Sequence, residues 1–256
     1  MLLRIDINCD MGESFGVFTI GRDEEIIKHI TSANIACGWH GGDPGVMRKT
    51  VALAIEHNVN VGAHPGYPDL EGFGRRYMEL SYAQMRDYMV YQIGALWAFA
   101  KALGAQVKHF KPHGVISNVA ARDLKIASAL ADAVHEVDNS MIFVALAGSL
   151  LVEAGRKAGL RVASEAYADR AYLPDGNLVP RGTPGAVIKN ETLVAARVSR
   201  MLSEGRIQAV DGTDLVVRAD TICVHGDTPG AAEFARSMRK AFADAGIEVV
   251  PLDRIV

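Results

Sequence analysis

Four histidines stand beside glycines and acidic residues: His40 in C-G-W-H-G-G-D-P, His64 in G-A-H-P-G-Y-P-D, His113 in K-P-H-G and His225 in V-H-G-D-T-P-G. Imidazole and carboxylate within hydrogen-bond reach can act as acid and base on an amide. Several neutral imidazoles with a carboxylate can instead hold Zn²⁺ or another divalent ion, which polarises a carbonyl or activates water. Asp10 and Glu13 in C-D-M-G-E, with Asp43, Asp69, Asp169 and Asp227, supply carboxylates. Lys111, Arg75, Arg76, Arg170 and Arg181 supply cations for a carboxylate or phosphate. Taken singly, each has an ordinary alternative: a solvated histidine, an aspartate capping a helix or turn, a lysine or arginine reaching into water.

Their grouping depends on the elements that carry them. Short β-branched apolar runs alternate with longer segments of helical period, the pattern of repeated β-α units around a mainly parallel sheet. The expected strands are Leu2 to Asn8, Asn34 to Cys37, Asn60 to Ala63, Gln106 to Lys111, Met141 to Leu146, Arg161 to Ala166, Thr221 to His225 and Glu248 to Pro251. The clearest helix runs from Ser81 to about Leu103, with Ser81 and Gln84 as a capping box and Gly104 at its end. Another covers Pro44 to His57, with Asp43 as its cap. From Tyr167 to Ile188 the chain is rich in Gly, Pro and Asp, which predicts a long functional loop with P-D-G-N turning a small hairpin.

The polar residues follow the strands rather than precede them. In parallel α/β folds the C-terminal strand ends converge on one crevice, so this placement predicts a single site there. His40, His64, His113 and His225 fall at such ends, whereas His29, His57, His109 and His135 lie in or beside helices or inside a strand.

Composition narrows the partner. The 256 residues are 49% hydrophobic and 22% charged with a net charge of −3, which predicts one globular domain over residues 1–256 with no footprint for nucleic acid or an anionic membrane. The N-terminal residues build no signal-peptide run, and no stretch approaches a membrane span. Three cysteines without C-x-x-C spacing argue against disulfides and structural zinc, so free thiols and a cytoplasmic location are expected. Phosphate-loop, dinucleotide, nucleophile-elbow and H-E-x-x-H motifs are absent from the sequence.

Taken in order, D-I-N-C-D-M-G-E (6–13), S-A-N-I-A-C-G-W-H-G-G-D-P (32–44), G-A-H-P-G-Y-P-D (62–69), G-F-G-R-R (72–76), Y-Q-I-G-A-L (91–96), V-K-H-F-K-P-H-G (107–114), A-D-R-A-Y (168–172), L-V-P-R (178–181) and V-H-G-D-T-P-G (224–230) resemble the LamB/YcsF family of 5-oxoprolinase A subunits. The resemblance implies an irregular seven-stranded β/α barrel like those of glycoside hydrolases and deacetylases. It also implies ATP-dependent opening of 5-oxoproline to L-glutamate with two further subunits; self-association is left open. On this reading Asp10, Glu13, His40, His64, Lys111 and His113 are catalytic, with Lys111 or Arg170 as anion holder and Asp10 or Glu13 as base. Arg75, Asn118, Glu165, Asp169, Arg170, Arg181, His225 and Asp227 bind substrate.

No metal is assigned, although a metal-dependent deacetylase-type hydrolase would use Asp10, His40 and His64. A subunit that only captures substrate is the other alternative. The chain departs from the family pattern at K-P-H-G-x-L-Y-N, where Ile116 and Ser117 stand for leucine and tyrosine. Cys9 and Trp39 replace the more usual alanine and phenylalanine.

Overall fold

The computed structural model describes residues 3–180, 182–188, 190–226 and 230–256. Its barrel strands are β1 (Leu3–Met11), β2 (Ser32–Ala36), β3 (Asn60–His64), β4 (Val107–Phe110), β5 (Ile142–Leu146) and β6 (Arg161–Tyr167). A short antiparallel pair, β7 (Arg206–Gln208) and β8 (Asp214–Val216), precedes β9 (Thr221–His225) and β10 (Ile247–Val249). Strands β1 to β6 and β9 pair in parallel, and β9 returns to β1, closing a seven-stranded barrel. Strand β10 joins only the beginning of β1, outside that ring. All eight expected strands are present, β9 with the expected ends and the other seven with shifted ones, while the β7–β8 pair was not foreseen.

One shift matters for the site. Strand β1 continues three residues beyond the expected Asn8, because β2 and β9 flank it on both sides. Asp10 pairs in register with Asn34 and His225, so it is a strand residue, not a loop residue.

Strand periodicity sorts β1 into two faces. Ile5, Ile7, Cys9 and Met11 are buried on one, while Asp6, Asn8 and Asp10 share the other. The second set bonds across the interior. Asp6 accepts from Thr31 and Ser32, both at 2.7 Å, and from Thr221. Above it, Asn8 donates to Thr221 at 2.6 Å, Asn34 donates to Asn8 at 2.7 Å, and the His109 ring meets the Asn34 carbonyl oxygen at 2.8 Å. His109 reaches Asn34 across β3 because Gly62 lies between: a Cβ there would sit 2.0 Å from the ring nitrogen. Polar interior layers of this kind persist because their donors and acceptors are matched.

The helices cover the outside: α1 (Asp23–Ile26), α2 (Pro44–Glu56), α3 (Tyr82–Ala102), α4 (Gly114–Ala120), α5 (Leu124–Asp138), α6 (Leu150–Lys157), α7 (Glu191–Glu204) and α8 (Ala231–Asp244). Helix α3 begins with both bonds of the expected capping box, and Gly104 beyond its end has φ +79°. At α2, Asp43 caps Gly45 and Val46 and also holds Gly16, which gives it a local structural task. The long loop folds on itself through antiparallel bridges Tyr172 to Leu178 and Arg170 to Val187, with the P-D-G-N turn at its tip. At the opposite end of the barrel, Leu252 packs with Ile142, Val144 and Ala163. No helix among the described residues is long and apolar enough to cross a membrane.

Candidate active site

Three of the four expected histidines meet at the barrel mouth. His64 ends β3, His113 is the N-cap of α4, and His40 lies in the glycine-rich turn before α2. His40 stacks flat on His113 with centroids 3.6 Å apart, and His64 stands edge-on to both. Backbone carbonyls fix two of the rings: His64 Nδ1 lies 2.8 Å from the Lys111 carbonyl oxygen, and His113 Nε2 lies 2.9 Å from that of Phe73. Glu13 Oε1 stands 3.4 Å from His40 Nε2 and 3.5 Å from His113 Nδ1. All four side chains are buried. Burial, followed by the neighbouring imidazoles, holds His40 well below the usual histidine range; burial and His64 bring His113 down to about 3.

The segment G-F-G-R-R builds one wall. Asp69 receives hydrogen bonds from the Gly72 and Arg76 backbone N–H groups and from the Arg76 guanidinium, so it ties this turn together. The turn presents the Phe73 carbonyl to His113. Gly74, at φ +64°, makes room for the rings, since a Cβ there would lie 2.8 Å from His113 and 2.9 Å from His40. Arg75 leaves the turn towards the cleft, over the Phe73 ring.

Beside the histidines lies a second buried group. Lys111 Nζ contacts Asp10 Oδ1 at 3.0 Å, Glu165 Oε1 at 2.8 Å, Cys223 Sγ at 3.0 Å and Asn8 Oδ1 at 3.2 Å. Burial alone would lower this ammonium, but Asp10, Cys223 and Glu165 outweigh it and hold it well above the ordinary lysine range. The reading of Lys111 as a side chain reaching into water is therefore replaced by one of an inward cation between two carboxylates, 4% exposed. Its N–H groups are committed to these neighbours, so it sets one positive charge between the Asp10 and Glu165 carboxyl groups. Asp10 also accepts from Asn34 at 2.9 Å, and its other oxygen stands 3.4 Å from His64 Nε2.

A cleft of about 810 Å³ opens over this floor. Asp10, His64, Lys111 and His113 line its base, with Arg75, Asn118, Arg122 and Arg170 on its walls. Arg170 is fixed by donating to the Val179 carbonyl at 2.6 Å. Ser117, at the departure from the family pattern, is also a lining residue, so the shorter side chain changes the cleft itself. Glu165 and Asp169 do not line the cleft: Glu165 is buried between Lys111 and the Tyr167 hydroxyl, and Asp169 lies half-buried in the loop behind Arg170. Arg181, Asp227 and the side chain of His225 lie outside the described residues.

The convergent donor set also differs from the expected Asp10, His40 and His64. Ligand atoms of Glu13, His40, His64 and His113 all lie within 4.8 Å of one another, whereas Asp10 is engaged with Lys111 and Asn34. Sequence reasoning passed over Cys223, Tyr167 and Arg122. Neither cysteine nor tyrosine carried a motif, and Arg122 sits past the short helix α4, where no strand-end signal reaches. Trp39 turns away from the cleft and packs on Tyr88 and Tyr91 of α3.

Fold and site together define a parallel β/α barrel whose C-terminal mouth holds a buried histidine–carboxylate centre under a cation-walled cleft. The chain belongs to the LamB/YcsF family, whose model matches residues 5–256. It is 53% identical over 250 residues to the 5-oxoprolinase A subunit of Pyrococcus abyssi, covering 98% of each chain. The crystal structure of the lactam utilization protein from Thermus thermophilus superposes with a TM-score of 0.92 at 49% identity, over 97% of this chain and 99% of that one. A putative cellobiose-phosphate cleavage protein of Enterococcus faecalis shares the fold at a TM-score of 0.59 and 11% identity, over 100% of each chain.

Proposed function

We propose that this chain is the ring-opening subunit of a multi-subunit, ATP-dependent 5-oxoprolinase that converts 5-oxo-L-proline to L-glutamate. The observation that carries the reading is the cleft itself: an acid–base floor of Asp10, His64 and His113 beneath walls bearing Arg75, Arg122 and Arg170. Such a site suits a small amide that carries a carboxylate. The kinship with relatives named as 5-oxoprolinase A subunits, and with a solved lactam utilization protein, supports reading that amide as the five-membered lactam.

The chemistry follows from the substrate. A five-membered lactam has little strain, so its carbonyl needs activation, and phosphorylation of the carbonyl oxygen by ATP supplies a leaving group. Water then attacks the carbonyl carbon, the ring C–N bond breaks as the nitrogen takes a proton to become the amino group, and a second water hydrolyses the resulting acyl phosphate to L-glutamate and inorganic phosphate. Asp10 serves as the base for water, held beside the Lys111 ammonium at 3.0 Å. His64 and His113, whose inward nitrogens carry lone pairs, assist Asp10 as proton acceptors, while the arginines hold the substrate carboxylate. The chain carries no phosphate-loop motif, so we assign the ATP-dependent step to the assembly with two further subunits in the cytoplasm. The full 256-residue chain acts as one catalytic domain within it.

The test is glutamate release from 5-oxoproline and ATP by this chain alone, by the partner subunits alone, and by the reconstituted assembly. Release by the assembly, with a fall of at least about 100-fold for Asp10→Asn at unchanged melting temperature, is expected for a base of this kind. Full turnover by the partners alone, or by the Asp10→Asn assembly, overturns the assignment.

A further inference from the structure

The tautomers of the site leave an electrostatic conflict. His64 Nδ1 faces the Lys111 carbonyl oxygen at 2.8 Å, so it carries the proton and donates. His113 Nε2 faces the Phe73 carbonyl oxygen at 2.9 Å and donates in the same way. In the neutral rings the remaining nitrogens, His64 Nε2 and His113 Nδ1, then carry only lone pairs. Those two atoms face each other at 3.0 Å. Two acceptors at that separation repel unless something positive lies between or beside them.

The surrounding atoms add to the same field of lone pairs. Glu13 Oε1 points in at 3.5 Å from His113 Nδ1 and 3.4 Å from His40 Nε2. Neither ring nitrogen of the fully buried His40 makes a hydrogen bond among the described residues. A buried imidazole without hydrogen bonds is costly and calls for another partner.

The spacings decide what that partner is. Tetrahedral Zn²⁺ binds nitrogen and oxygen at about 2.0–2.2 Å, which places neighbouring ligand atoms roughly 3.3–3.6 Å apart. Three of the separations, 3.0, 3.4 and 3.5 Å, fall near that edge length, and all four donor atoms lie within 4.8 Å of one another. A shared proton would bridge one pair of atoms and leave His40 unanswered, whereas a cation satisfies all four groups at once. The backbone carbonyls on His64 and His113 act as the outer partners that orient metal-bound imidazoles.

We propose that Glu13, His40, His64 and His113 form a divalent transition-metal centre, selective for Zn²⁺ or a similar nitrogen-binding ion, at the floor of the cleft. The nitrogen-rich donor set disfavours Mg²⁺ and Ca²⁺, which prefer oxygen ligands. The proposal rests on the donor geometry alone and holds whatever substrate the cleft accepts.

The test reads metal rather than turnover. The chain is stripped with chelator, titrated with Zn²⁺ and with Co²⁺, and followed by elemental analysis, by thermal melting and by the visible absorption of bound Co²⁺. One equivalent per chain, a melting temperature that rises with metal, and an intense low-symmetry Co²⁺ spectrum are expected. His40→Ala and the near-isosteric Glu13→Gln lose stoichiometric binding and the spectrum, while His135→Ala, an exposed change on α5, keeps both. If His40→Ala fails to fold, Glu13→Gln and the stripped wild-type chain still decide the matter. Less than one-tenth equivalent of either metal at saturation overturns the proposal, as does binding that survives both site variants. Because no substrate is present, failure here is separate from failure of the proposed lactam chemistry.

Discussion

At the scale of single residues, the barrel interior replaces the branched apolar layers usual in closed parallel barrels with ionisable and amide side chains. Asp6 is the deepest of these, fully buried beneath Thr31, Ser32 and Thr221. Burial raises its carboxyl from an ordinary 3.8 to about 6 despite three hydroxyl donors. The folded state therefore holds this proton more tightly than the unfolded chain does. Its contribution to stability is full below pH 3.8, declines between 3.8 and about 6, and is constant above that. The total decline amounts to about 3 kcal/mol. Urea unfolding of wild type and Asp6→Asn across this range should show the difference between them changing with pH inside the window and flat above it. A difference independent of pH from 4 to 7 would sink this account of Asp6.

At the scale of elements, what brings His109, His40 and His113 to their stations is the placement of small residues in neighbouring segments. In β3, Gly62 leaves the gap through which His109 reaches Asn34, and the β3–β4 register shifts at this point. Gly62→Ala would put a methyl 2.0 Å from the His109 ring nitrogen. A loss of about 1–3 kcal/mol or more is expected, since the ring is locked inside the layer and cannot yield. The double variant Gly62→Ala, His109→Ala should cost less than the two single changes added together, which a double-mutant cycle by chemical denaturation measures. Strict additivity would mean that the two side chains do not share this space. The turn tied by Asp69 works similarly for the mouth, holding the Phe73 carbonyl against His113.

At the scale of the whole molecule, the barrel is filled unevenly. One side of its interior is polar, through β1, β2, β4 and β9; the other is apolar, where Ile142 and Val144 of β5 and Ala163 of β6 meet Leu252 near the C-terminus. Asn60 at the start of β3 donates to Asp253, and Val250 donates to Ile5, so this terminal segment is fastened across the end of the barrel opposite the candidate site. Leu252→Ala should cost about 2–5 kcal/mol by opening a cavity beneath the polar layers. Thermal and urea unfolding read that loss directly; a change below about 0.5 kcal/mol, the range of ordinary surface substitutions, would show that Leu252 is not a closing side chain.

The sequence by itself determined much of this protein. Alternation of short apolar runs with helical segments was enough to foresee the repeated β-α units and their mainly parallel sheet, and local hydrogen-bonding patterns gave the capping box at Ser81 and the cap at Asp43; closure into a barrel was expected only from the family resemblance. Glycines beside His40, His64 and His113 marked strand ends, and the rule that such ends converge placed these histidines in one mouth. Tertiary structure decided the rest. It extended β1 through Asp10 because two neighbouring strands pair with it, turned Lys111 inward onto Asp10 and Glu165, and withdrew Glu165 from the cleft. It also joined Glu13 and His113 to His40 and His64 as one set of facing lone pairs. Backbone propensity is written in neighbouring residues, but the direction of a buried charge depends on partners about 100 positions away, as Lys111 and Asp10 are.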